Sequence, residues 1–269
     1  MIECNGHRYI IKNNSHIFFT CEHASQYIPE KYNNLGLSQE DLKNSKDLYD
    51  VASREMTEYL SKNLNASALY AKISRLVIDY NRKLNAATKN INTFHSCPLK
   101  TELLVEKYGT EKMIKIPENI FVKKEYFDNE ERSRYQMYAV PYINSAYDVL
   151  DELRKKHKKI FIVQIHSFFP TYNGVKRDVD IAVLFDDAEE TANHIIKDLQ
   201  SRTNLVVAGN NPWSMKDTDG VVFEKVYDMD DVEIIAFDIN NKHLTTKEGI
   251  KNISQLLLET VQTQLKVEK

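Results

Sequence analysis

The chain has 269 residues, 42% of them hydrophobic, enough to enclose a sizeable core within one large domain or two small ones. Lys and Arg number 36 against 39 Asp and Glu, and the net charge of -3 argues against a general nucleic-acid binder, which needs a basic surplus to neutralise phosphates. Seven glycines are present and none forms a GxGxxG or GxxxxGK phosphate loop.

Three cysteines, Cys4, Cys21 and Cys97, form no CxxC pair, so neither a disulfide framework nor a cysteine-rich zinc module is expected. The first residues lack the basic-then-apolar order of a signal peptide, and no apolar run approaches the roughly 18 residues that span a bilayer. These features predict a soluble cytoplasmic protein that engages neither membrane nor nucleic acid.

Short runs rich in β-branched and aromatic residues recur at 16–21, 68–73, 76–80, 160–165, 179–185, 205–208 and 232–239. Most are apolar on both faces, as strands covered by helices on each side must be. Between them, the segment 38–64 places Leu48, Ala52, Met56 and Leu60 four apart on one helical stripe, with Ser38 and Asp41 as an N-terminal capping pair. The segments 135–156, 188–202 and 246–265 also read as helices, the first started or kinked by Pro141. Alternating strands and helices predict an α/β domain with a mixed, largely parallel sheet. No linker composition or internal repeat divides the chain, so 1–269 is read as one domain with a loop-rich insertion at about 83–130.

Polar residues cluster where the apolar strands end. Ile17-Phe-Phe-Thr-Cys-Glu-His23 runs from a buried strand into a carboxylate and an imidazole, and Ile160-Phe-Ile-Val-Gln-Ile-His166 repeats the design. Ligands of open α/β sheets sit at the carboxyl ends of strands, and two histidines delivered there suit a zinc site of His/His/carboxylate type. The plainer reading of either histidine is a strand-end side chain bonded to a backbone carbonyl.

The stretch Ser74-Arg75-Leu-Val-Ile-Asp79-Tyr-Asn81-Arg82 reads as a strand bracketed by two arginines. A guanidinium fork holds a carboxylate bidentately, which makes Arg75 and Arg82 candidates for an anionic substrate, with Asn81 beside them. The alternative is an Asp79–arginine pair that locks a loop. Arg177 enters a later buried strand, and Asp238 lies within an apolar one, where burial raises a carboxyl pKa and suits general-base work. Glu233, an odd number of positions away, faces the other side of that strand. Cys21 reads as a small core residue, and Arg154-Lys-Lys-His-Lys-Lys159 as a solvated helix end.

Taken together, Thr20-Cys-Glu-His23 with Pro29, the helix carrying Asp50, Ser74-to-Arg82, His166-Ser-Phe and the 177–185 strand resemble the N-formylglutamate amidohydrolase family. The resemblance spans most of 16–244, and the Asp-x-Asn-Arg element is also similar to one in zinc carboxypeptidases. It implies a three-layer αβα sandwich, one zinc ion (or another divalent metal), and hydrolysis of an amide beside a carboxylate. His23 and His166 would be ligands. Gln26 stands where carboxypeptidases place a second ligand, so the third comes from Asp50 or, failing that, Glu22. Asp238 stands where the family shows a glutamate and would serve as general base. Arg82, with Asn81, Arg75 and Arg177, would hold the carboxylate of a small N-acyl amino acid. Two rival readings are a carboxypeptidase-like or N-acyl amidase acting on another substrate, and a catalytically weakened binding protein.

Overall fold

The computed structural model describes residues 2–82 except 5, 13 and 47, the strand pair within 113–123, and residues 132–266 except 173, 218–221, 224–225 and 227–228. In chain order come β1 (Ile2–Glu3), β2 (His7–Ile10), β3 (Ile17–Cys21), α1 (Gln39–Asn44), α2 (Ser53–Asn63) and β4 (Ser67–Ala71). Then follow the hairpin β5 (Met113–Ile116) and β6 (Ile120–Lys123), α3 (Val140–Arg154), β7 (Ile160–Phe168), and the short hairpin β8 (Thr171–Tyr172) and β9 (Val175–Lys176). β10 (Ile181–Leu184), α4 (Glu189–Arg202), β11 (Val207–Gly209), β12 (Val232–Asn240) and α5 (Lys247–Gln264) complete the path.

Eight strands form one sheet in the order β1-β2-β4-β3-β7-β12-β10-β11. The central four, β4, β3, β7 and β12, are mutually parallel, while β2 runs against β4 and β10 against β12. This is the expected mixed sheet. Its central strands carry apolar side chains on both faces because both faces are covered. Ile17, Phe19 and Cys21 of β3 enter the core formed with α2, α4 and α5, while Phe18 enters the opposite core with Tyr142, Ala146, Val149 and Leu150 of α3. The result is the expected three-layer αβα arrangement. Among the described residues no helix is long and apolar enough to cross a membrane.

Two expectations are corrected. The apolar run 76–80 is not a strand but a succession of turns, with Val77 N–H bonded to Ser74 O and Arg82 N–H to Asp79 O. Ser74 starts them by accepting from Leu76 N–H, and the buried Leu76, Val77 and Tyr80 pack into the α3-side core without a strand partner.

The segment 38–64 is likewise not one helix. The Ser38–Asp41 capping box starts α1 as expected, but the chain breaks before α2 at Ala52, held in the left-handed region at φ 59°. Asp50 therefore lies in the break and not on a helix. The stripe explains the break: Ala52, Met56 and Leu60 enter one core, whereas Leu48 packs against the other. Pro141 occupies the first turn of α3, after a π-type turn at Tyr135–Ala139. The 83–130 insertion, including His95 and Cys97, falls outside the described residues apart from the β5–β6 hairpin.

The parallel alignment places the carboxyl ends of β3, β4, β7 and β12 on one edge. Glu22 and His23 follow β3 directly, His166 lies near the end of β7, and Asp238 pairs in register with His166 across β7 and β12.

Candidate metal centre

Three buried side chains from distant parts of the sequence converge at this edge. One donor atom each from His23, Asp50 and His166 lies within 4.8 Å of the others. Both imidazoles turn Nδ1 toward the same oxygen, Asp50 Oδ2, at 3.2 Å from His23 and 2.8 Å from His166. The loop between α1 and α2 is tied to both partners: Asp50 N–H donates to His23 O, and Ser167 Oγ donates to Val51 O. The break at Ala52 thus turns a carboxylate inward that a continuous helix would carry elsewhere.

The opposite nitrogen of each imidazole also meets a carboxylate. His23 Nε2 lies 2.9 Å from Asp79 Oδ1, and His166 Nε2 lies 3.2 Å from Glu22 Oε2. A chain of alternating carboxylates and imidazoles results, from Asp79 through His23, Asp50 and His166 to Glu22. Glu22, the second choice for the third ligand, lies outside the converging donor set and faces the opposite nitrogen of His166. Arg75 forks between Asp79 at 2.8 Å and Asp50 at 3.4 Å. It is thus engaged inside the centre, as the loop-locking alternative has it.

The electrostatics follow from this crowding. Burial alone raises the Asp50 carboxyl, but the charge of His23 and hydrogen bonds from both imidazoles outweigh it and hold Asp50 well below the usual carboxylate range. Burial opposes ionisation of Asp79 too, and the Arg75 guanidinium overcomes it. Burial disfavours a charged His166, yet hydrogen bonds to Asp50 and Glu22 raise its pKa well above the ordinary value. Three buried carboxylates thus alternate with two imidazoles, and the Arg75 guanidinium lies against two of the carboxylates.

The donor set fits a divalent metal. Two imidazole nitrogens and one carboxylate oxygen are the ligand types of open zinc sites, and donors bonded to one tetrahedral ion at about 2.0–2.1 Å stand about 3.3 Å apart. Carboxylates behind metal-ligating histidines are the customary outer support of such sites, and both imidazoles here have one.

Asp238 stands beside this set. It is 5% exposed, and its Oδ1 has no hydrogen-bond partner among the described residues. Burial pushes its carboxyl up to about 7, with Asp50 adding to the shift and His166, His23 and Arg177 opposing it. Glu233 faces the other side as expected, bonded to Thr191 and Lys159. Asn81 Nδ2 lies 3.3 Å from His166 Nε2, and Arg82, half-buried, follows in the same turn. Arg177 stacks over Trp213 at 4.7 Å and Tyr172 at 4.9 Å, and donates to Phe169 O. Asp180 is structural, accepting from His243 and from Val206 N–H. Cys21 donates to Ser53 Oγ within the core, where burial pushes its thiol far up and leaves no nucleophile.

Sequence reasoning passed over Gln164 and Tyr142, both of which donate to Glu22 Oε1 at 3.3 Å. Gln164 carried a signal, a polar residue two before His166 on the same strand face. Tyr142, on a helix far along the chain, carried none.

A layered α/β fold with two imidazoles and a carboxylate gathered at the sheet's carboxyl edge defines the class, an αβα protein with a candidate divalent-metal centre. The chain matches the sequence profile of the N-formylglutamate amidohydrolase family over residues 15–245, and it belongs to that family. Among solved structures it is similar to the gene product Atu2144 from Agrobacterium tumefaciens, with 24% identity, a TM-score of 0.76, and coverage of 97% of this chain and 94% of that one. It is also similar to the N-formylglutamate amidohydrolase from Ralstonia eutropha JMP134, with 12% identity, a TM-score of 0.66, and coverage of 97% and 99%. At these identities the likeness concerns the fold. No curated protein matches the chain in sequence.

Proposed function

We propose that this protein is a metal-dependent amidohydrolase that cleaves a small N-acyl amino acid of the N-formyl-L-glutamate type to the free amino acid and a carboxylate. The observation that carries the reading is the convergence of His23, Asp50 and His166 beside the raised carboxyl of Asp238. Family membership supports the reaction class, and the donor types favour zinc as the ion.

When bound, such an ion polarises the acyl oxygen and lowers the pKa of water. His23, His166 and Asp50 would hold it. Asp238, with a carboxyl poised near neutrality, takes a proton from the attacking water and delivers one to the leaving nitrogen. The water oxygen bonds to the acyl carbon as the C–N bond breaks, giving the acyl carboxylate and the amine. Arg82, Asn81 and Arg177 hold the substrate carboxylate and align the amide. Three cysteines with no CxxC pair favour a cytoplasmic setting.

Release of free glutamate from N-formyl-L-glutamate by the purified protein, abolished by chelation and restored by zinc, is the expected result. Turnover indifferent to chelator overturns the metal reading. Turnover confined to other members of an N-acyl amino acid panel moves the substrate assignment.

A further inference from the structure

Glu22 poses a problem that metal ligation does not solve. It is fully buried, and one carboxylate oxygen is held in place by Tyr142 Oη from α3 and Gln164 Nε2 from β7, each at 3.3 Å. The other, Oε2, makes no aligned hydrogen bond and faces His166 Nε2 at 3.2 Å. A buried carboxylate with one oxygen anchored by two neutral donors and the other directed at an imidazole is built to fix that imidazole. At the far end of the same chain of contacts, Asp79 stands in the equivalent place behind His23 Nε2 at 2.9 Å.

We propose that Glu22 is a positioning residue that accepts the Nε2 proton of His166 and thereby presents Nδ1 to the metal. Tyr142 and Gln164 act through it by fixing the carboxylate's orientation. The inference rests on the metal-centre reading above. Its physical basis is the general one for ligating histidines: which ring nitrogen binds is set by the hydrogen bond the other makes, and a carboxylate there also strengthens the ligand.

The test compares zinc affinity, by competition with a chromophoric chelator, for wild type, Glu22→Gln and Tyr142→Phe, alongside urea unfolding of the metal-free proteins. Glu22→Gln keeps the shape and removes the charge. Its zinc affinity is expected to fall about 10–100-fold, while its metal-free stability changes little. Tyr142→Phe, which removes one of the two donors to Oε1 and leaves Gln164 holding it, is expected to lower the affinity by a smaller factor.

Long-range proton–nitrogen spectra of the zinc-loaded wild type supply a readout that a merely structural role does not move. His166 is expected as the Nε2–H tautomer with Nδ1 on the metal. A His166 that binds through Nε2, or a Glu22→Gln protein with wild-type affinity, overturns this inference while leaving the metal centre intact. A wild-type protein that takes up no zinc overturns both. If Glu22→Gln fails to fold, the tautomer of the wild type decides.

Discussion

Asp238 and His166 stand side by side, paired in register on the parallel strands β12 and β7, so a carboxyl with an unsatisfied oxygen lies next to an imidazole of the donor set. Nothing in their separation of seventy-odd residues requires this; the sheet alignment does. Asp238→Asn preserves the shape of the side chain and removes the proton acceptor. Its kcat is expected to fall about 10²–10⁴-fold with zinc content unchanged. Loss of the metal along with activity would instead make Asp238 part of the metal's support.

Among the described residues Asp50 is the one carboxylate shared by both imidazoles. Asp50→Ala removes a donor and leaves Arg75 and two imidazoles without their common partner. Metal analysis of the purified variant is expected to show far less than the roughly one zinc per chain of the wild type. Full occupancy in this variant would mean that the ion sits elsewhere.

The arginines are expected to separate by function. Arg82→Ala should raise KM about 30–100-fold for a carboxylate-bearing substrate, the scale of a lost charge-assisted hydrogen bond, with kcat much less affected. Arg75→Ala should act differently, because its guanidinium is bound to Asp50 and Asp79. Weaker metal retention and a lower Tm are expected, and a pure KM effect in Arg75→Ala would return it to the substrate.

A pH effect on folding arises at His7, outside the donor set. His7, 1% exposed, bonds Ser145 Oγ at 2.8 Å, and burial together with the charge of Lys72 lowers its pKa to about 4. The folded protein therefore keeps His7 neutral where the unfolded chain, at about 6.5, already binds a proton. The resulting stability is complete above pH 6.5 and is lost as the pH falls toward 4, by up to about 3 kcal/mol. Urea unfolding at pH 7.5 and 4.5 should show a smaller decrease for His7→Gln than for wild type, and equal decreases would remove His7 as the cause.

Much of this molecule was legible in its sequence because burial on both faces writes itself as short, doubly apolar runs. β3, β7 and β12 were readable for that reason, and so were the polar residues at their ends, since a carboxylate or imidazole after a buried strand breaks the pattern. The same rule failed at 76–80. Its apolar side chains serve a core from turns, and composition alone cannot tell turn from ladder. It failed again at 38–64, where the stripe was continuous in spacing but divided between two cores.

The sequence by itself determined the α/β class, the placing of two histidines and Asp238 as polar residues on apolar strands or at their ends, and the absence of the two phosphate-loop patterns. These rest on local rules of burial and chemistry that hold wherever the chain goes. Only the tertiary structure decided that Asp50 completes the donor set, that Arg75 serves the centre, and that Glu22 stands behind His166. Those roles depend on which strands lie adjacent, in which register, and on one left-handed residue at Ala52. Distances between residues far apart in sequence are set by packing, and a linear pattern carries no record of them.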